Sequence, residues 1–335
     1  MSRRGTAAAD SGAGVGRSGA GAAVAVVIDV DDHPAWTAAA LDAHCLSGGR
    51  IVLHPSPGAS APPALAQDLL HALGKQLPRA DPATPRHRAS WADLVTPAWT
   101  AAACWMHAHR VGHLVVLRAH TLTPTRWDQL GTLRRQTGVR LTLIWHQRPD
   151  TQLQERAQRL GTAHQEIHGL DTARVLFRRQ GPVRPDPPGN TSSEKHGNGS
   201  ELQQIEAIQR VAHPLHAGLL AAQTLIPGAT AGQLAAIRLA DLAPDATALA
   251  LPHLPCRPTS HHQWHTVPGW AQPLLIAARA WHYLNGHRHS SRHLFQHINF
   301  HHHNQLTHTA AALGMNAAID QLDADPAWPT PTDTH

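Results

Sequence analysis

From Ala22 to about Leu160 the chain alternates between short apolar runs and longer amphipathic stretches. Ala23–Asp29 (AVAVVID), Arg50–His54 (RIVLH), His113–Arg118 (HLVVLR) and Val139–Trp145 (VRLTLIW) are of strand length, rich in β-branched residues and bounded by polar or turn-forming residues. They predict buried strands. Between them, helices are predicted over 36–45, 63–77, from Trp91 or Pro97 to Arg110, 124–136 and 151–160, with a proline-rich loop over 78–88. Buried strands alternating with helices predict an α/β N-terminal domain, residues 22–177, with a mostly parallel sheet covered on both faces.

The alternation stops at residues 178–200, RRQGPVRPDPPGNTSSEKHGNGS, whose Pro, Gly, Ser and Asn content predicts a flexible linker. Residues 201–315 then read as a mainly α C-terminal domain, followed by a loose tail over 316–335. Residues 1–21 are Gly, Ala, Ser and Arg and predict a disordered tail. Gly12, Gly14, Gly16 and Gly19 spell fragments of two phosphate-binding glycine motifs. Both motifs need a strand before the glycines and a helix after them. Here the strand comes after, so the glycines are read as tail.

Composition narrows the picture further. The chain has 335 residues, 42% of them apolar, which suits about two domains with real cores. Formal charge is +5. Residues 1–180 hold 20 basic and 13 acidic side chains, and residues 181–335 hold 8 and 10. The basic excess of the first part suits a polyanionic partner, although it is mild. Most of the 29 histidines fall in the second part, whose charge would climb as pH falls through about 6.5. Cys45, Cys104 and Cys256 are far apart and form no metal-type pair, which argues for a reducing compartment. No apolar run approaches membrane-spanning length and the N-terminus has no signal-like apolar core, so a cytoplasmic protein is expected.

Open α/β sheets bind ligands beyond the carboxyl ends of their strands. Asp29, Asp31 and Asp32 stand at such an end, and carboxylates clustered there could hold Mg2+ for phosphoryl chemistry. The spacing of Asp29 and Asp31 resembles the opening motif of haloacid-dehalogenase-like phosphatases. That family also uses a later Lys and a later acidic pair, and the only lysines after Asp31 are Lys75 and Lys195. The stretch His113–Trp145 resembles the Walker B strand, helix and sensor strand of AAA-type P-loop ATPases. Where that family carries acidic residues for Mg2+, this chain reads Arg118-Ala119-His120. The resemblance therefore implies an ATPase-like core lacking its Walker motifs, with Arg118, Arg126, Arg134, Arg135 and Arg140 on solvated faces or turned to a partner.

The C-terminal domain carries the most suggestive pattern. Ala217–Leu225 is an apolar helix, followed by a turn at Pro227-Gly228, then Thr230, Gln233-Leu234, Ile237-Arg238 and Asp241. His265-Thr-Val-Pro268 precedes a helix to Trp281, and Leu294-Phe295 comes later. This layout, over about 205–315, resembles the catalytic domain of tyrosine recombinases, the phage-integrase family. The departures bear on chemistry. The position of the family's phosphate-holding Arg is Thr230, the His289–Arg292 box comes too early, and the only tyrosine, Tyr283, precedes it. The resemblance implies a degenerate, non-catalytic, recombinase-like DNA-associated protein, consistent with descent from a mobile element. Arg210, Arg238, Arg257, Arg279, Arg288 and Arg292 are its candidate DNA contacts. Residues 231–239 also read as half of a helix-turn-helix with Arg238 facing phosphate.

Two alternatives stand beside this reading. One is the Mg-dependent phosphoryl-transfer or phosphatase-like enzyme using Asp29 and Asp31. The other is a partner- or metal-binding protein: His289, His293, His297 and His301 recur every four residues and would form one stripe on a helix, able to chelate Zn2+. No resident cofactor and no membrane partner are expected, whereas a protein partner or a homo-oligomer is compatible with the pattern.

Overall fold

The computed structural model describes residues 24–77, 90–160, 164–179, 199–252, 263–286, 292–295 and 310. Within them, β1 (Val24–Ile28), β2 (Arg50–Leu53), β3 (His113–Val116), β4 (Arg140–Trp145) and β5 (His164–Ile167) form one sheet. Its order is β2-β3-β4-β1-β5, and every neighbouring pair is parallel. The first strand therefore lies inside the sheet, with Ile28 opposite Trp145 on β4 and Val27 opposite Ile167 on β5.

The four apolar runs of the sequence become β1 to β4. The fifth strand was not expected. It reads HQEI and buries only Ile167, so it carries no apolar run, as an edge strand can.

Strand residues alternate between the two faces. Val24, Val26, Ile28, Ile51, Leu53, Leu114, Val116, Leu141, Leu143 and Trp145 face one core, and Ala25, Val27, Val52, Val115 and Ile144 face the other. The first face is covered by α2 (Ala64–Ala72), α3 (Val95–Ala108), α4 (Pro124–Thr137) and α5 (Thr151–Arg159). The second is covered by α1 (Pro34–Asp42) and α6 (Leu170–Arg178), through Ala40, Ala173 and Phe177. This is an α/β layer fold with helices on both faces.

The C-terminal part comprises α7 (Gly199–Gln209), α8 (Pro214–Leu225), α9 (Ala231–Ala236), an antiparallel pair β6 (Ala248–Leu251) and β7 (Gln263–Thr266), and α10 (Gln272–Leu284). It is mainly helical, as its sequence predicts. It does not stand apart from the sheet, however: α10 and α8 pack on the outer side of α3. Every residue of α3 from Ala98 to Met106 is buried in consequence. A helix apolar all round needs cover all round, and here the sheet supplies one side and the C-terminal helices the other.

Polar ties cross the same boundary. Trp105 Nε1 donates to the Ala212 carbonyl at 2.6 Å, Lys75 Nζ to the Gln209 carbonyl at 2.7 Å, and the Gln76 amide to the Arg210 carbonyl at 2.7 Å. One apolar core thus runs from the sheet through α3 into the C-terminal helices. Most of the predicted linker, including residues 180–198, lies outside the described residues, as do both predicted tails. No helix among the described residues is long and apolar enough to cross a membrane.

Candidate functional site

In this sheet order, β1 sends its chain to one edge and β4 sends its chain to the other. Their helices leave on opposite faces, α1 on one and α5 on the other. The crevice between the carboxyl ends of β1 and β4 is therefore the topological switch point, where open α/β sheets place their ligands. Asp29 follows β1 and His146 follows β4, side by side across that crevice, with the Asp29 amide bonded to the Trp145 carbonyl at 2.9 Å.

His146 Nδ1 lies 3.0 Å from Asp29 Oδ2 and 3.2 Å from Asp32 Oδ1. Asp29 and His146 are almost fully buried, while Asp32 is exposed at the rim. The second oxygen of each carboxylate is also engaged. Asp29 Oδ1 accepts from the His33 amide at 3.1 Å, and Asp32 Oδ2 accepts from Arg118 Nη2 at 2.9 Å. Asp32 and Arg118 both have left-handed backbone, φ 48° and 50°, at the ends of the loops that follow β1 and β3. Non-glycine residues adopt that conformation at a cost.

His120 completes the mouth from the 3-10 turn Ala119–Thr121. Its ring meets the His146 ring edge-on, with centroids 5.6 Å apart, and its carbonyl accepts from Arg156 Nη1 at 3.0 Å. Burial lowers its pKa below the ordinary histidine value, helped by the neighbouring His146 and Arg118. Two ring nitrogens here, His146 Nε2 and His120 Nδ1, are buried without a hydrogen-bond partner among the described residues. Asp29, Asp32 and His146 each offer one ligand atom within 4.8 Å of the others, a set able to hold a metal ion.

The loop from β1 into α1 leaves no cradle for a phosphate. It is the five-residue stretch Asp29–His33, and His33 Nδ1 already accepts from the Ala35 amide at the helix start. Three carboxylates in that loop repel anions. Asp29 and Asp31, paired by spacing in the sequence, are not paired in space: Asp31 is exposed, and Asp32 is the residue that joins Asp29. His146 could have been found from sequence as the first polar residue after the β4 run, because that is where the switch-point rule looks.

The candidate DNA contacts separate by environment. Arg279 lies between the Ala243 and Pro244 carbonyls and donates to both, so it ties α10 to the turn before β6. Burial lowers its pKa somewhat. Arg210, at the end of α7, pairs with Glu206 at 3.5 Å. Arg238 is exposed just after α9 and pairs in an isolated antiparallel bridge with His293. Flanking that bridge, the Leu294 amide donates to the Ile237 carbonyl at 2.7 Å and the Leu239 amide to the Arg292 carbonyl at 2.9 Å. Arg238 and Arg292 are thereby brought onto neighbouring backbone segments. Arg257 and Arg288 lie outside the described residues.

Thr230 is the N-cap of α9. Its Oγ1 accepts from the Gln233 amide at 3.2 Å while its own amide donates to Gln233 Oε1 at 3.0 Å. Asp241 Oδ2 accepts from the Arg238 amide at 2.8 Å, closing the next turn. Tyr283 is exposed on α10. His293 is in an extended bridge and Leu294 and Phe295 in a turn, so one helical stripe does not run through His293. His289, His297 and His301 lie outside the described residues.

No family model matches this chain, and no curated protein or solved structure matches it either.

Proposed function

We propose that this is a non-catalytic, recombinase-like DNA-associated protein, in which an α/β scaffold supports a helical unit that contacts phosphates. The observation that carries this reading is the backbone bridge between Arg238 and His293, which puts these two side chains on one face, where Arg238 is exposed. An exposed guanidinium beside an imidazole suits a phosphate backbone, because it offers a planar fork of donors. The helix, turn, short helix and strand running from α8 to β6 follow the order that the resemblance to recombinases implies. Thr230 supports the non-catalytic part: it caps a helix where that family holds a scissile phosphate. The free thiols of Cys45 and Cys104 suit a reducing cytoplasm.

Fluorescence anisotropy with a labelled duplex tests the reading. Arg238→Gln weakens binding, whereas Arg279→Gln lowers thermal stability and leaves intrinsic affinity unchanged. Unchanged affinity in Arg238→Gln overturns it.

A further inference from the structure

We infer that Asp29, Asp32 and His146 form a binding site for a first-row divalent transition-metal ion such as Mn2+, at the switch point of the sheet. Three ligands about 2.1 Å from one ion stand roughly 3.0–3.4 Å apart, depending on whether they subtend right or tetrahedral angles. His146 Nδ1 stands 3.0 Å and 3.2 Å from the two carboxylate oxygens, within that range.

Ligand sets of this kind are recognised by what holds them from behind. The His33 amide engages Asp29 Oδ1 and the Arg118 guanidinium engages Asp32 Oδ2, so each carboxylate is fixed by one oxygen and turns the other toward His146. The imidazole that completes the set is only 1% exposed and turns Nδ1 toward both carboxylates, so burial holds the third donor in place. On binding, Nδ1 gives its lone pair to the ion and the imidazole proton moves to Nε2.

The donor set decides the class of ion. Two carboxylates alone suit Mg2+ or Ca2+, but an imidazole nitrogen shifts preference to Mn2+, Fe2+ or Zn2+. The charge also fits: two carboxylates against one Arg118 leave a net negative mouth for a dication. The site is separate from the bridge of Arg238 and His293, and neither depends on the other.

Tag-free full-length protein is titrated with Mn2+ and followed by electron paramagnetic resonance and thermal melting. Mn2+ rather than Zn2+ is the probe because the histidine-rich C-terminal sequence would capture Zn2+. One ion is expected to bind and raise Tm, and tenfold Mg2+ is expected not to displace it. Asp32→Asn, an exposed change, weakens binding about 10-fold or more, while Asp31→Asn leaves it unchanged. His146→Gln and Asp29→Asn abolish binding if they fold, and Asp32→Asn decides if they do not. Absence of binding up to millimolar Mn2+, equal loss in Asp31→Asn, or no loss in Asp32→Asn overturns the assignment.

Discussion

Asp32 and Arg118 meet at 2.9 Å from two left-handed backbone positions, one on each side of the crevice at the carboxyl end of the sheet. Each such position costs about 1–2 kcal/mol for a residue with a Cβ. Both side chains are about half exposed, 45% and 47%, and an exposed ion pair returns only about 0–1 kcal/mol. The pair therefore does not offset the conformation it requires. Strain that contacts do not repay gathers at functional sites, and here it surrounds His146. Arg118→Gly removes the strain and the ion pair together. Its urea midpoint is expected to stay level or rise slightly, and a loss greater than about 1 kcal/mol contradicts this account.

Close approach of α8 and α10 makes Gly218 irreplaceable. A Cβ there would sit 2.7 Å from Ala278 Cβ and 3.3 Å from the Phe295 ring. Alanine gains about 1 kcal/mol of helix propensity over glycine, but overpacking a dense interface costs about 1–3 kcal/mol. Gly218→Ala is expected to lower Tm by several degrees in calorimetry. A stabilised variant would show that the two helices separate freely.

Lys75 lies over the Trp105 ring, 3.3 Å from its centroid, at the boundary between the sheet layer and the C-terminal helices. Burial pushes its pKa down to about 7, against about 10.4 in an unfolded chain. Between those values the unfolded chain holds a proton that the folded chain has released, so stability rises with pH from about 7 to about 10.4. Lys75→Met removes that dependence and also the hydrogen bond to Gln209. The parent-minus-variant difference in urea midpoint is expected to grow in favour of the parent between pH 7 and 9.5. A constant difference contradicts it.

His113 is fully buried, and its Nε2 pairs with Thr142 Oγ1 at 2.9 Å. Burial, with smaller contributions from Arg140 and Arg50, outweighs the Arg179 carbonyl and holds its pKa at about 4. His109 is held at about 3 by burial and by Lys75. Both stay neutral in the folded protein while the unfolded chain protonates near 6.5. Their contribution is fully present above about 6.5 and is lost as pH falls toward 4 for His113 and toward 3 for His109. A melting series from pH 7 to 4 should show Tm falling throughout, and less steeply in His113→Gln if that variant folds.

Much of the fold was legible because four apolar runs of strand length carry it. β5 was hidden: an edge strand such as HQEI can lack an apolar stretch. The continuity of the two halves was hidden as well, since the proline- and glycine-rich segment suggested independence while Ala98–Met106 needed cover on both sides. At the candidate site, Asp29 was legible from its place after β1. Adjacent carboxylates look alike in sequence, and only the turn at Asp32, φ 48°, selects it over Asp31 as the partner. His146 is distant from both in sequence, and only the strand order brings it to them. Likewise Arg238 and His293 were named separately, and only the backbone bridge puts them on one face.

The most direct measurement is the salt dependence of duplex binding by the full-length protein. Each phosphate contact contributes about −1 to the slope of log affinity against log salt, and Arg238→Gln reduces the magnitude of that slope by about one. That result is expected. Absence of binding at about 50 mM salt, or a slope that Arg238→Gln does not change, contradicts the account.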